Sequence, residues 1–303
     1  MARSKRNGLP GWVQNKRNEP DLSTPAAIQT NCMMNSKRWV TGIIALPLLI
    51  VLVYKGGPVV FAAFIGIISL YSLWEYFRLV FHARKAVMRD PIPTLILFVA
   101  PIIIWAAYKN SFQTILSVIT LNLICSGFLA LLRFKSDPLV PEIITKQILG
   151  MIYIPLSLSY LVLIRNGIDG IAWIFFLLCI VFAGDTAAYY VGSYLGRHPL
   201  CPSVSPKKTV EGSIGGLFAN IGIGLLFKFI FFPLLSWGGS LLFFLSVGIA
   251  GQVGDLFESV LKRSANVKDS GAILPGHGGI LDRIDALLFA APVAYFFKEY
   301  LLF

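Results

Sequence analysis

The stretch Gly170-Ile-Ala-Trp-Ile-Phe-Phe-Leu-Leu-Cys-Ile-Val-Phe-Ala-Gly184 contains no charged residue, and the apolar character resumes beyond Asp185 to about residue 196. It does not alternate polar with apolar side chains, as the strands of a membrane barrel do. A helix of that length is enough to cross a hydrocarbon core about 30 Å thick. Working outward, eight further stretches read the same way: roughly 39 to 54, 58 to 77, 91 to 108, 113 to 132, 147 to 164, 213 to 235, 239 to 261 and 285 to 302. Backbone crosses lipid only where its polar groups are bonded internally, which helices achieve within one segment. The pattern therefore predicts an all-α fold: a polytopic helical bundle of about nine transmembrane helices.

Composition agrees. Of 303 residues, 56% are hydrophobic and 14% charged, and the mean hydropathy is +0.74. Such a chain is neither disordered nor an ordinary soluble domain. Its 26 Lys and Arg against 15 Asp and Glu leave a net charge of +11, which suits either a nucleic-acid binder or a membrane protein with basic inner loops. Placement decides between them. With the N-terminus cytoplasmic, the outer loops hold only Lys55, Lys109 and Arg165, while Lys228 and Lys298 fall within spans and every other Lys and Arg lies on the inner side. This asymmetry is the positive-inside pattern. The basic residues are divided among loops and form no sustained patch, which argues against a nucleic-acid partner.

The expected organisation is a polar, basic cytoplasmic arm over 1–36, N-terminal transmembrane helices over 37–168, and a C-terminal catalytic transmembrane domain over 169–303. The arm lacks the short apolar core of a secretory signal, and the expected location is the cell inner (plasma) membrane, multi-pass. Cys32, Cys125, Cys179 and Cys201 form no metal-ligand or disulfide spacing.

The acidic residues at 185, 211, 255, 258, 269, 282 and 285 make up seven of the 15, all seven fall in the last 40% of the chain, and the topology sets them at or beside the cytoplasmic surface. Acidic groups at span ends raise a functional question, because charge at lipid depth is costly. Asp185 serves either a site or an interhelix hydrogen bond, eased by Ala188, Gly192 and Gly196. The loop Ser205-Pro-Lys207-Lys208-Thr209-Val-Glu211-Gly212 offers two lysines and two hydroxyls before a Gly-rich helix entry, a pattern suited to phosphate at a helix N-terminus; a basic anchor loop is the other reading. Asp255, Glu258, Ser259 and Lys262 recur at helical spacing on one face. Beyond them come Arg263, Lys268-Asp269, Pro275-Gly-His277-Gly278-Gly279 and Asp282-Arg283-Ile-Asp285. Oxygen donors beside clustered cations are what Mg²⁺ and a nucleoside triphosphate require together.

These residues carry a resemblance. Ser259-Val-Leu-Lys262-Arg263, then Lys268-Asp269-Ser-Gly271, then Leu274-Pro-Gly-His277-Gly278-Gly279-Ile-Leu-Asp282-Arg283-Ile-Asp285 resembles the signature of the phosphatidate cytidylyltransferase family, also called CDP-diglyceride synthases, with every fixed position filled. Asp185-Thr-Ala-Ala-Tyr and Ser205-Pro-Lys-Lys-Thr-Val-Glu-Gly are similar to the family as well, with Val210 and Arg197 as departures. The resemblance implies cytidylyl transfer from CTP to phosphatidate, giving CDP-diacylglycerol and pyrophosphate with Mg²⁺ as cofactor, a cytoplasmic active site, membrane lipid as environment and a homodimer.

It further implies Asp255, Asp282 and Asp285 as metal ligands, and Asp255, Lys262, Asp282 and Arg283 as catalytic residues. Ser205, Lys207, Lys208, Thr209, Arg263, Lys268, His277, Gly278 and Gly279 would bind substrate, with Glu211, Glu258 and Asp269 supporting the basic groups or the metal. Two other readings are an ion-coupled transporter built on Asp185 and Asp255, and a CTP-dependent transferase acting on another lipid.

Overall fold

The structure is a computed structural model, and it describes residues 47–82, 90–271 and 278–302. After helical residues 47–55 come α1 (Gly57–Val80), α2 (Pro91–Tyr108), α3 (Phe112–Arg133), α4 (Val140–Met151), α5 (Ser157–Asn166) and α6 (Gly170–Leu195). A hairpin of β1 (Pro199–Cys201) and β2 (Ser205–Thr209) precedes α7 (Val210–Phe231), α8 (Trp237–Ser264) and α9 (Leu281–Tyr300). Local chemistry starts several of these helices. Asp90 accepts from the Ile92 amide at 2.9 Å, Thr209 from Gly212 at 3.1 Å, and Ser111 and Ser236 cap α3 and α8 in the same way.

Among the described residues, seven helical segments are long and apolar enough to cross a membrane. One is the continuous rod Val140–Asn166, in which α4 and α5 are joined by a π turn over Ile152–Leu156 that contains Pro155. Proline has no amide hydrogen to donate, and the wider turn accommodates that loss. The rod is the most enclosed of the seven.

An all-α membrane bundle is thus the architecture, and the count of nine differs for two reasons. Residues 39–46 of the first expected span lie outside the described residues. α9 has the length but carries Asp282, Arg283 and Asp285 at its start and Lys298 and Glu299 at its end. The region 199–209, expected as loop, is instead an antiparallel hairpin pairing Pro199 with Thr209 and Cys201 with Ser205.

The apolar interior includes an aromatic cluster of Trp173, Phe176 and Phe243, with Trp173 edge-on to Phe243 at 5.6 Å. The polar pair Asn122 and Gln147 joins α3 to α4 through reciprocal amide bonds of 2.9 and 3.3 Å, so neither buried amide is left without a partner. Side-chain contacts also sort the two ends of the bundle. Arg133 pairs with Asp90, and Lys146 donates to the Val80 carbonyl at 3.0 Å, at the end where the hairpin lies. Arg165 donates to the Val53 carbonyl and Asn166 to the Tyr108 carbonyl at the other.

Candidate active site

α6 and α7 approach closely beneath the hairpin. A Cβ on Gly212 would stand 2.6 Å from the Ala188 carbonyl oxygen, so a glycine is needed for the contact. That approach brings the hairpin lysines over the C-terminal half of α6. The result is a cavity of about 580 Å³ lined by Asp185, Tyr189, Ser205, Lys207, Lys208 and Thr209, with Ser213, Gln252 and Asp255 completing the wall. Lys208 pairs with Asp255, linking hairpin to α8. Gln252 donates to the Ser213 carbonyl at 3.0 Å and accepts from the Ser213 hydroxyl, which fixes α7 to α8 below the pair. Two acidic side chains from different helices therefore face one space with two lysines and several hydroxyls. Such a space is able to take a polyanion and a hard cation together.

The other signature residues form a second cluster. Lys262 pairs with fully buried Glu258 on its own helix and donates to Asp282 Oδ1 at 2.7 Å. The second Asp282 oxygen accepts from the Ser270 amide at 3.0 Å, the Ser270 hydroxyl at 2.9 Å and the Gly279 amide at 2.8 Å. Gly278 has φ of 79°, and a Cβ there would lie 2.8 Å from Asp282 Oδ2, so both conformation and space call for glycine. Between the clusters, Gly254 packs against α9, where a Cβ would stand 2.5 Å from the Asp285 carbonyl oxygen. Asp285 thus sits one turn into α9 beside the turn of α8 that carries Asp255, and its own Oδ1 accepts from the Ala286 amide at 2.8 Å.

The structure gathers Asp185, Ser205, Lys207, Lys208, Thr209 and Asp255 around the cavity, and Lys262, Gly279 and Asp282 around the loop. The helical face of Asp255, Glu258, Ser259 and Lys262 does not act as one stripe, since Asp255 turns to the hairpin while Glu258 and Lys262 turn to α9. Arg263 donates to the Val204 carbonyl at 3.1 Å and the Val267 carbonyl at 3.4 Å, so it holds the hairpin turn against the end of α8. Glu211 accepts from the amides of Arg197 and His198 and from His198 Nδ1 at 2.6 Å, closing the hairpin base. Lys268, Asp269 and Arg283 are exposed, and His277 lies outside the described residues.

Two residues of the N-terminal half join the site without having been singled out in the sequence. Glu75 of α1 accepts from the amides of Ile280 and Leu281. Tyr153, in the π turn, packs edge-on against Phe257 at 5.0 Å and Phe289 at 5.9 Å, which lie two residues past Asp255 and four past Asp285 on their helices. Glu75 had a usable signal, a lone acid within an apolar helix; an aromatic residue in an apolar run carries none.

The donor set bears on Mg²⁺. Among the described residues no three His, Cys, Asp or Glu side chains are grouped to hold an ion by themselves. Mg²⁺ commonly needs only one or two carboxylates when substrate phosphates supply further oxygens, and the Asp185 and Asp255 wall fits that arrangement. Both oxygens of Asp282 already have protein partners.

Fold and site together define a polytopic helical membrane protein with a polar cavity of acids and lysines at one end of the bundle. Residues 36–301 match the cytidylyltransferase family, and the chain belongs to that family. A protein of Bacillus subtilis (strain 168) named phosphatidate cytidylyltransferase is 44% identical over 150 residues, 49% of this chain and 55% of that protein. The chain therefore spans about half the length of that relative in the match. A Staphylococcus aureus (strain COL) protein of the same name is 33% identical over 264 residues, 84% of this chain and 96% of that protein.

Proposed function

We propose that the protein transfers the cytidylyl group of CTP to phosphatidate. The phosphate oxygen of the lipid forms a bond to the α-phosphorus, the bond from that phosphorus to the β-phosphate oxygen breaks, and CDP-diacylglycerol and pyrophosphate result. The observation that carries this reading is the single cavity in which Lys207 and Lys208 face Asp185 and Asp255 beneath a helix N-terminus. Family membership and the names of the relatives support it.

No protein nucleophile is required, because the acceptor is itself an anionic oxygen. The chain's own work is to align two polyanions and to oppose the charge that gathers on the leaving pyrophosphate. Lys207 and Lys208 contact triphosphate oxygens, and Ser205 and Thr209 add hydroxyl donors. Lys262, Lys268 and Arg283 face phosphate from the loop side, while Arg263 keeps the hairpin in register. Mg²⁺ bound at this site would neutralise phosphate charge and polarise the α-phosphorus. Asp185 and Asp255 would hold it, with Asp285 beside Asp255 on the neighbouring helix; Asp282 joins that set only by giving up Lys262.

In the membrane, this reading gives about nine spans, a cytoplasmic N-terminus and the hairpin end on the cytoplasmic side of the plasma membrane. A homodimer is part of the proposal on family resemblance. The test is CDP-lipid formation from labelled CTP in purified membranes with a panel of lipid acceptors. Product with phosphatidate and Mg²⁺ is expected, and product only with another acceptor would replace the substrate assignment.

A further inference from the structure

Glu75 is fully buried near the C-terminal end of α1, in the run Leu73-Trp-Glu-Tyr-Phe77. Its carboxyl oxygens accept from the Ile280 amide at 3.1 Å, the Leu281 amide at 2.8 Å and the Ser270 hydroxyl at 3.3 Å. The donors come from both ends of the loop between α8 and α9, although nearly 200 residues of chain separate them from α1. The fit leaves no spare room: a Cβ on Gly271 would stand 2.2 Å from one Glu75 oxygen, and one on Gly279 2.5 Å from the other.

Capping α9 accounts for two of the three bonds, since its first amides have no partner within the helix. It does not account for Ser270. The amide of that residue donates to Asp282 at 3.0 Å, which holds Lys262 at 2.7 Å, and its hydroxyl, with a single hydrogen to give, lies between the Glu75 and Asp282 carboxylates. A contiguous polar chain therefore runs from α1 to the phosphate-facing groups.

We propose that Glu75 is a positioning residue for the cytidylyl-transfer site: a carboxyl supplied by α1 that clamps both ends of the signature loop and so sets Asp282 and Lys262. The inference rests on the reaction proposed above. It also means that the catalytic unit is not confined to residues 169–303, because one of its supports comes from the N-terminal helices.

The test uses the full chain in detergent or membranes. Glu75→Gln replaces one carboxylate oxygen by an NH₂, which meets either the Ile280 or the Leu281 amide donor to donor whichever way the amide is turned, so one bond of the clamp is lost. Expected is a fall in kcat of at least about tenfold per folded molecule, with KM for CTP nearly unchanged because Lys207 and Lys208 do not depend on the clamp. Hydrogen exchange at the amides of 280 and 281 should accelerate in the same variant. A purely structural acid would lower the yield or thermal midpoint and leave kcat per folded molecule at the wild-type value, and that result overturns the proposal. Should Glu75→Gln fail to fold, Ser270→Ala removes only the hydroxyl link, and an unchanged kcat in it overturns the proposal equally. If the wild-type chain forms no CDP-lipid, the reaction is what fails; the exchange measurement then decides the clamp, which is lost if 280 and 281 exchange as in wild type.

Discussion

At the end of the bundle away from the hairpin, cations finish helices. Arg165 donates through Nε and Nη2 to the Val53 carbonyl at 3.2 and 3.1 Å, and buried Lys228 donates to the Leu235 carbonyl while standing 4.8 Å from the Trp237 ring centre. Their acceptors are main-chain oxygens, which helix and loop ends leave in need of donors. At the hairpin end, Lys208 and Lys262 instead meet acids on other elements, Asp255 and Asp282. The far end even has the larger cavity, about 1110 Å³ against about 580 Å³, lined by Tyr54, Tyr108, Phe175, Phe227 and Phe231 together with Lys109, Arg165 and a single acid, Asp169. Size does not mark the proposed reactive end. What sets the hairpin end apart is that its lysines are paired with acids of other elements, Lys208 with Asp255 and Lys262 with Asp282.

Removing an acid from the converging set should have the largest effect. Asp255→Asn leaves Lys208 without its partner and takes a charged oxygen from the proposed cation site. Turnover of CTP with phosphatidate should fall by about 100-fold or more, the scale seen when one charge-stabilising group is lost. Asp282→Asn should reduce it comparably, because Lys262 and Asp282 are only 14% and 10% exposed and a buried pair is costly to break from one side. Titration with Mg²⁺ separates their roles. A higher Mg²⁺ requirement is expected for Asp255→Asn, whereas Asp282→Asn should lose turnover at every Mg²⁺ concentration. Near-normal activity in both variants would place the chemistry elsewhere.

These two clusters also show what was legible in the sequence. Asp255 to Lys262 and Asp282 to Asp285 were readable because helical spacing fixes which neighbours share a face. Their partners were less so. That Asp255 would turn to Lys208 and Lys262 to Asp282 depends on how α6, α7, α8 and α9 pack, and periodicity carries no such information. The hairpin lies in a stretch expected as loop, and its Pro199, Pro202 and Pro206 carry no strand signal. Glu75 carries a signal of its own, a lone acid in an apolar helix, but its three partners lie some 200 residues away, and only the folded chain brings them to α1.

The hairpin lysines give an intermediate effect of a different kind. Lys207→Ala with Lys208→Ala removes two phosphate contacts but leaves Asp282, Lys262 and the loop as they are. KM for CTP should rise about tenfold, roughly 1.4 kcal/mol of binding, with a smaller change in kcat. Steady-state kinetics over a range of CTP at saturating lipid would show it. An unaltered CTP dependence would mean that the lysines anchor the loop and neutralise Asp255 and nothing more.

The smallest effect belongs to the far end and tests the contrast from its other side. Lys228→Met keeps a chain of similar length but withdraws the donor from the Leu235 carbonyl. An acceptor left without a partner costs about 1–3 kcal/mol. Against that, the wild-type protein buries an ammonium at 3% exposure, and relieving that desolvation offsets part of the loss. The net change should be a modest drop in thermal midpoint in detergent, with kcat and KM per folded molecule unaltered, because Lys228 lies at the opposite end of α7 from Thr209 and Ser213. A loss of turnover approaching that of Asp282→Asn would show that the helix-finishing cations also control the site, and the division between the two ends would fail.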